Sequence, residues 1–167
     1  YILLFCAPVF ADFAKGFDSY QNKDYATAFK EWKPLAEQGD SSAQYNLGFM
    51  YANGQGVIQD YKAAVKWYKF SAEQGDSSAQ YNLGFMYDSG QGVIQDYKAA
   101  VKWYKFSAEQ GYASAQYNLG LMYANGQGVI QDYTRAHMWW NIAASQGQEE
   151  AMGNRDKVAK EMTSLQI

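Results

Sequence analysis

The chain has 167 residues and a formal net charge of −3, enough length for one domain of ordinary size. That charge argues against nucleic acid as a partner, because gripping a phosphate backbone takes a basic field. After the first eleven residues no segment approaches the ~18 apolar residues of a membrane span, so no stable membrane insertion of the mature chain is expected.

Residues 1–11, YILLFCAPVFA, carry no charge, and Val9 and Ala11 stand three and one places before Asp12. Small residues in those places after an apolar run predict a signal peptide cut after Ala11, and hence a periplasmic or secreted protein. The end of a membrane anchor and an apolar capping element are the competing readings. The run opens on Tyr1 with no basic residue ahead of it, so the first residues of the natural signal are expected to be missing. Cys6, the one cysteine, follows Phe5 where lipidation would need a small residue. Cleavage leaves a mature chain without disulfides, held by packing alone.

Residues 12–39 read as a shortened opening unit that ends in Ala36-Glu37-Gln38-Gly39. Pro34 falls inside its helical pattern, where a kink is expected. The block 40–75 is then written again as 76–111, with only two of 36 positions changed, Ala52 to Asp88 and Asn53 to Ser89. A looser copy fills 112–147. A fixed period of this length predicts stacked supersecondary units.

Each unit holds two helical patterns. In the first, Ala43, Leu47, Met50 and Tyr51 share one side, and Ser41 with Gln44 fits a capping box. Gly48, Gly84 and Gly120 lie on that side too, which predicts close approach of a partner helix, since glycine costs a helix about 1 kcal/mol relative to alanine. Gly54-Gln55-Gly56 ends this helix, and Asp60 caps the next. There Tyr61, Ala64, Val65, Tyr68 and Ala72 face inward, with Trp67 and Phe70 on a flank that an adjoining unit is expected to cover. Lys62, Lys66, Lys69 and Glu73 make a stripe facing water, repeated through Lys98, Lys102 and Lys105; as a basic docking ridge it is the weaker reading. The third unit replaces that stripe with Met138 beside His137, Trp139 and Trp140, which a closing helix is expected to cover; an exposed aromatic patch is the alternative. Residues 148–167 supply that closing helix, with Thr163 as the cap of a further, incomplete one.

These landmarks resemble the Sel1-like repeat, a relative of the tetratricopeptide repeat. The resemblance runs through Ala43, Leu47, Gly48, Tyr51, Gly54, Gly56, Val57, Asp60, Ala64, Trp67, Ala72 and Gly75. The same landmarks return 36 and 72 residues later. It implies an all-α fold, a right-handed α/α superhelical solenoid of two-helix units, with the first helix of each unit on the concave side. On a helical wheel Tyr45, Asn46, Phe49 and Asn53 lie opposite the core stripe, with Ser42 and Ala52. Their counterparts are Tyr81, Asn82, Phe85, Asp88 and Ser89, then Tyr117, Asn118, Leu121, Ala124 and Asn125. These residues form the expected groove for a protein or peptide. Asn46, Asn82 and Asn118 would grip an extended main chain, as in the asparagine ladders of tetratricopeptide solenoids, since an amide both donates and accepts. The competing role is a bond within the asparagine's own unit or to a neighbouring helix.

Catalytic signals are poor: one histidine, no nucleophile motif, and a G-Q-G without the third glycine of a dinucleotide loop. No catalytic residue, metal site or cofactor is expected. Asp60, Asp96 and Asp132 are a unit apart and serve better as caps than as ligands. Cysteine-rich relatives of the family are described as penicillin-binding or β-lactamase-like, and this chain lacks the paired cysteines of that branch. The expected function is a non-catalytic interaction scaffold, with a β-lactamase-like or cell-wall-fragment-binding protein as the alternative.

Overall fold

A computed structural model describes residues 11–162. Among the described residues lie nine α-helices and no strand: α1 (Phe13–Gln21), α2 (Tyr25–Glu37), α3 (Ser41–Asn53), α4 (Tyr61–Glu73), α5 (Ser77–Ser89), α6 (Tyr97–Glu109), α7 (Ala113–Asn125), α8 (Tyr133–Ser145) and α9 (Glu149–Glu161). Each helix packs chiefly on the one before it and the one after it. Odd-numbered helices form one layer and even-numbered helices the other, which is the right-handed α/α solenoid expected from the repeats. The apolar run 1–10 and Thr163 fall outside the described residues.

Aspartates start most of the helices. Asp40 and Asp76 each accept from the backbone N–H three residues on, Ala43 and Ala79, at 2.7 Å. Asp60 and Asp96 accept from Lys62 and Lys98 N–H at 2.9 Å, and Asp132 from Arg135 N–H at 3.0 Å. A short carboxylate satisfies N–H groups that have no partner in the first turn. The capping box expected at Ser41 and Gln44 does not form. Asp40 takes the cap, Ser41 becomes the first helical residue, and Gln44 turns into the core. In the third unit Tyr112 occupies the cap position without a side-chain bond, and its ring stacks on Tyr81 at 5.1 Å.

Gln44, buried, donates to the Ala36 carbonyl at 3.0 Å and accepts from Gln74 at 2.7 Å. Gln80 does the same with Ala72 (3.2 Å) and Gln110 (2.7 Å), and Gln116 with Ala108 (3.1 Å) and Gln146 (2.8 Å). Carbonyls at a helix C-terminus have no N–H within the helix, and an amide satisfies them while accepting a second bond. Each glutamine therefore ties an even helix to both helices of the following unit.

The core repeats in register. Ala43, Leu47 and Met50 of α3 and Ala64, Val65, Tyr68 and Ala72 of α4 are buried, as are their counterparts. Gly48 allows the close approach: a Cβ there would sit 2.6 Å from the Tyr68 ring. The same Cβ at Gly84 would meet Tyr104 at 2.8 Å, and at Gly120 it would meet Trp140 at 2.5 Å. Gly54 closes α3 in the left-handed conformation, φ 66°. Helix α2 runs without interruption through Pro34.

Two expectations about covered aromatics are corrected. Trp67 packs onto the core cluster that α2 and α3 share, but Phe70 remains 41% exposed, edge-on to Trp67 at 5.8 Å. Phe106 repeats this against Trp103. The tryptophan turns onto this shared cluster and leaves the phenylalanine outside. In α8, Trp140 is buried because it fills the ring position beneath Gly120, while Met138 and Ile142 stay exposed. Helix α9 does not cover them. It occupies the odd-numbered layer and buries Ala151 and Val158, with Arg155 and Asp156 where α7 has Leu119 and Gly120.

Candidate functional site

The expected groove residues lie along the outer side of α3, α5 and α7. Tyr45, Tyr81 and Tyr117 are half-buried. The Tyr45 ring lies 6.0 Å from Tyr68 and 6.4 Å from Phe49, and Tyr81 lies 5.8 Å from Tyr104. Burial pushes the Tyr45 and Tyr81 phenols up, and the nearby amides of Asn82 and Asn118 oppose the shift. Asn82 and Asn118 thus lie near the tyrosine of the preceding odd helix. Asn154, which the sequence reading missed, extends the series, its Nδ2 donating to Tyr117 Oη at 3.3 Å. The period alone marks it, 36 residues after Asn118. Asn82 Nδ2 also donates to the Ser78 carbonyl at 2.9 Å. Asn154 therefore connects α9 to α7, while Asn82 bonds within its own helix.

The remaining groove residues are less tied down. Phe85 is exposed, and Phe49 and Leu121 are half-buried. Asn53 Nδ2 and Ser89 Oγ each donate to the carbonyl four residues back at 2.8 Å, and Asn125 Nδ2 to Gln127 Oε1 at 3.4 Å. Hollows open between consecutive odd helices at both ends of the row. One of about 220 Å³ is lined by Phe17, Tyr20, Trp32, Tyr45, Asn46 and Phe49. The other, about 410 Å³, is lined by Leu121, Ala124, Asn125, Tyr133, Trp140 and Asn154, with Lys157, Val158 and Glu161. A larger, shallower hollow of about 650 Å³ lies away from this face, around Val93, Ile94 and Tyr97.

Asp88 is the one charged side chain on α3, α5 and α7. Tyr104 Oη donates to its Oδ2 at 3.2 Å. Burial lifts its carboxyl above the usual carboxylate range, and the tyrosine bond opposes the lift. On the even layer, Lys66 Nζ lies 5.6 Å from the Trp67 ring centre and 5.9 Å from Phe70, an arrangement Lys102 repeats. Among the described residues no group of three or more His, Cys, Asp or Glu is placed to hold a metal ion. None of the described helices is long and apolar enough to cross a membrane.

The Sel1 repeat pattern matches residues 41–76, 77–112 and 113–148. The chain belongs to the Sel1 repeat family. Among solved structures it is similar to a protective antigen of uropathogenic Escherichia coli that displays an SLR fold. That similarity has a TM-score of 0.81 and 43% identity, over 83% of this chain and 31% of the antigen. A Sel1 repeat protein from Oxalobacter formigenes matches with a TM-score of 0.82 and 33% identity, over 86% of this chain and 59% of that one. The chain therefore spans about a third of the first relative and under two thirds of the second. Helicobacter pylori cysteine-rich protein B, at 20% identity and a TM-score of 0.58, shares the fold alone. A search of the curated proteins gave no match.

Proposed function

We propose that this Sel1 repeat protein is a non-catalytic interaction scaffold that holds an extended segment of a protein partner along α3, α5 and α7. Sel1 repeat proteins are generally protein-interaction scaffolds. The observation that carries the reading is the recurrence, at one interval, of a half-buried tyrosine and a neighbouring asparagine along a nearly uncharged face with hollows at both ends. Aromatic rings offer apolar contact, and the amide oxygens and remaining N–H groups offer hydrogen bonds to a main chain. Repeated surfaces spread along a row instead of converging on one reacting centre, which suits binding better than chemistry. The apolar run before Asp12 supports action outside the cytoplasm.

A random nonapeptide array, followed by fluorescence polarisation on the best-bound sequence, tests the reading. Replacing Asn46, Asn82 and Asn118 together with alanine removes three bonds of about 0.5–1.5 kcal/mol each. The expected loss is roughly 10-fold to 1000-fold in Kd. An unchanged Kd removes the asparagines from the binding face.

A further inference from the structure

Two nearly identical units differ at only two of 36 positions, and both changes fall together on the last turn of the first helix. One of them introduces Asp88 where the preceding unit has Ala52 and the following unit has Ala124. A helix interior gains nothing from this change, since aspartate is a poorer helix former than alanine. It also stands at the end of α5 where the helix dipole is unfavourable to an anion.

The surroundings make the carboxylate unusual. It is half-buried, and Tyr104 holds one oxygen. Among the described residues no lysine, arginine or histidine lies within ion-pair distance of it. The equivalent position one unit later, Ala124, lines the hollow of about 410 Å³ between α7 and α9. By the repeat, Asp88 holds the equivalent position on α5, with the exposed Phe85 one turn before it. A half-buried carboxylate beside aromatic rings, with one hydroxyl partner and no counter-charge, complements a cation whose stem is apolar.

We propose that Asp88 selects the ligand of the groove, which carries a lysine or arginine side chain whose head group pairs with the Asp88 carboxylate while its methylenes lie on the exposed Phe85. The inference rests on the groove reading given above and adds the chemistry of the partner. Tyr104 acts as a positioning residue, its hydroxyl fixing the carboxylate toward the groove. A charge-assisted bond in such a setting is worth about 10-fold to 100-fold in affinity.

The full chain and its Asp88→Asn variant are screened on the same random nonapeptide array. Asparagine keeps the shape and an oxygen for the Tyr104 hydroxyl, so the variant retains the local packing. Wild-type protein is expected to enrich lysine or arginine at one position, and the variant to lose that preference. For the best peptide, replacing its basic residue with norleucine costs wild type about 10-fold to 100-fold and costs the variant nothing. Peptides that bind through the three asparagines but show no basic preference, or keep it in Asp88→Asn, overturn this inference and leave the groove reading standing. An array on which nothing binds overturns both.

Discussion

Glycine-to-alanine substitution inside these helices has opposite signs at two positions, and the structure says why. In α9, a Cβ at Gly153 meets no atom within 4 Å. There alanine gains its ordinary helix preference, about 1 kcal/mol. In α7, a Cβ at Gly120 would lie 2.5, 2.6 and 2.9 Å from three atoms of the Trp140 indole. The ring must retreat by roughly 1 Å from a normal carbon contact of ~3.5 Å, yet Trp140 is buried and its Nε1–H donates to the Tyr117 carbonyl at 3.1 Å. Overpacking costs about 2–3 kcal/mol, and loss of the indole bond adds about 1 kcal/mol. Offset by the propensity gain of about 1 kcal/mol, Gly120→Ala is expected to destabilise by about 2–3 kcal/mol and Gly153→Ala to stabilise by up to about 1 kcal/mol. Urea titrations followed by far-UV circular dichroism and tryptophan fluorescence measure both. If Gly120→Ala unfolds at the same or higher urea than wild type, the close-packing account of the repeated glycines is wrong.

The glutamine ties give a second prediction. Gln80→Ala removes bonds to Ala72 and Gln110, for an expected loss of about 1–3 kcal/mol. Hydrogen exchange should show the loss shared by α4, α5 and α6; a loss confined to α5 would argue against a tie between units. The third prediction concerns pH. The Asp88 carboxyl titrates above its unfolded value, so its folded form binds a proton more readily and its ionisation weakens the fold as pH rises through the folded pKa. Asp88→Asn should therefore be more stable than wild type at pH 7, with the difference shrinking as pH falls below the ordinary carboxylate range. A variant less stable than wild type at pH 7 would contradict that sign.

Much of the architecture was readable without coordinates because it is local or periodic. Asp60 as a cap, Gly54 as a stop and the buried face of α4 follow from the turn geometry of a helix and from side-chain polarity. Three units in register then force the same answer three times. Gly48, Gly84 and Gly120 announced a close approach in the same way, since a costly residue repeated in one place implies a neighbour. The chain order also implied the stacking, because a two-helix unit cannot bury its apolar side alone.

What the linear order left undecided was which of several possible partners each polar or aromatic group takes. Gln44 fits a capping box by spacing, yet the pull of the Ala36 carbonyl and of Gln74 from neighbouring helices is stronger. Trp67 and Phe70 share a flank, but only the tryptophan packs onto the cluster between α2 and α3. Asn82 and Asn118 read as groove amides, whereas their contacts with Tyr45 and Tyr81 exist only once units are laid side by side. Periodicity records what each residue is and which way it faces along its own helix. The distance between two helices, and so the choice of partner across it, arises only when side chains from both fill the same space.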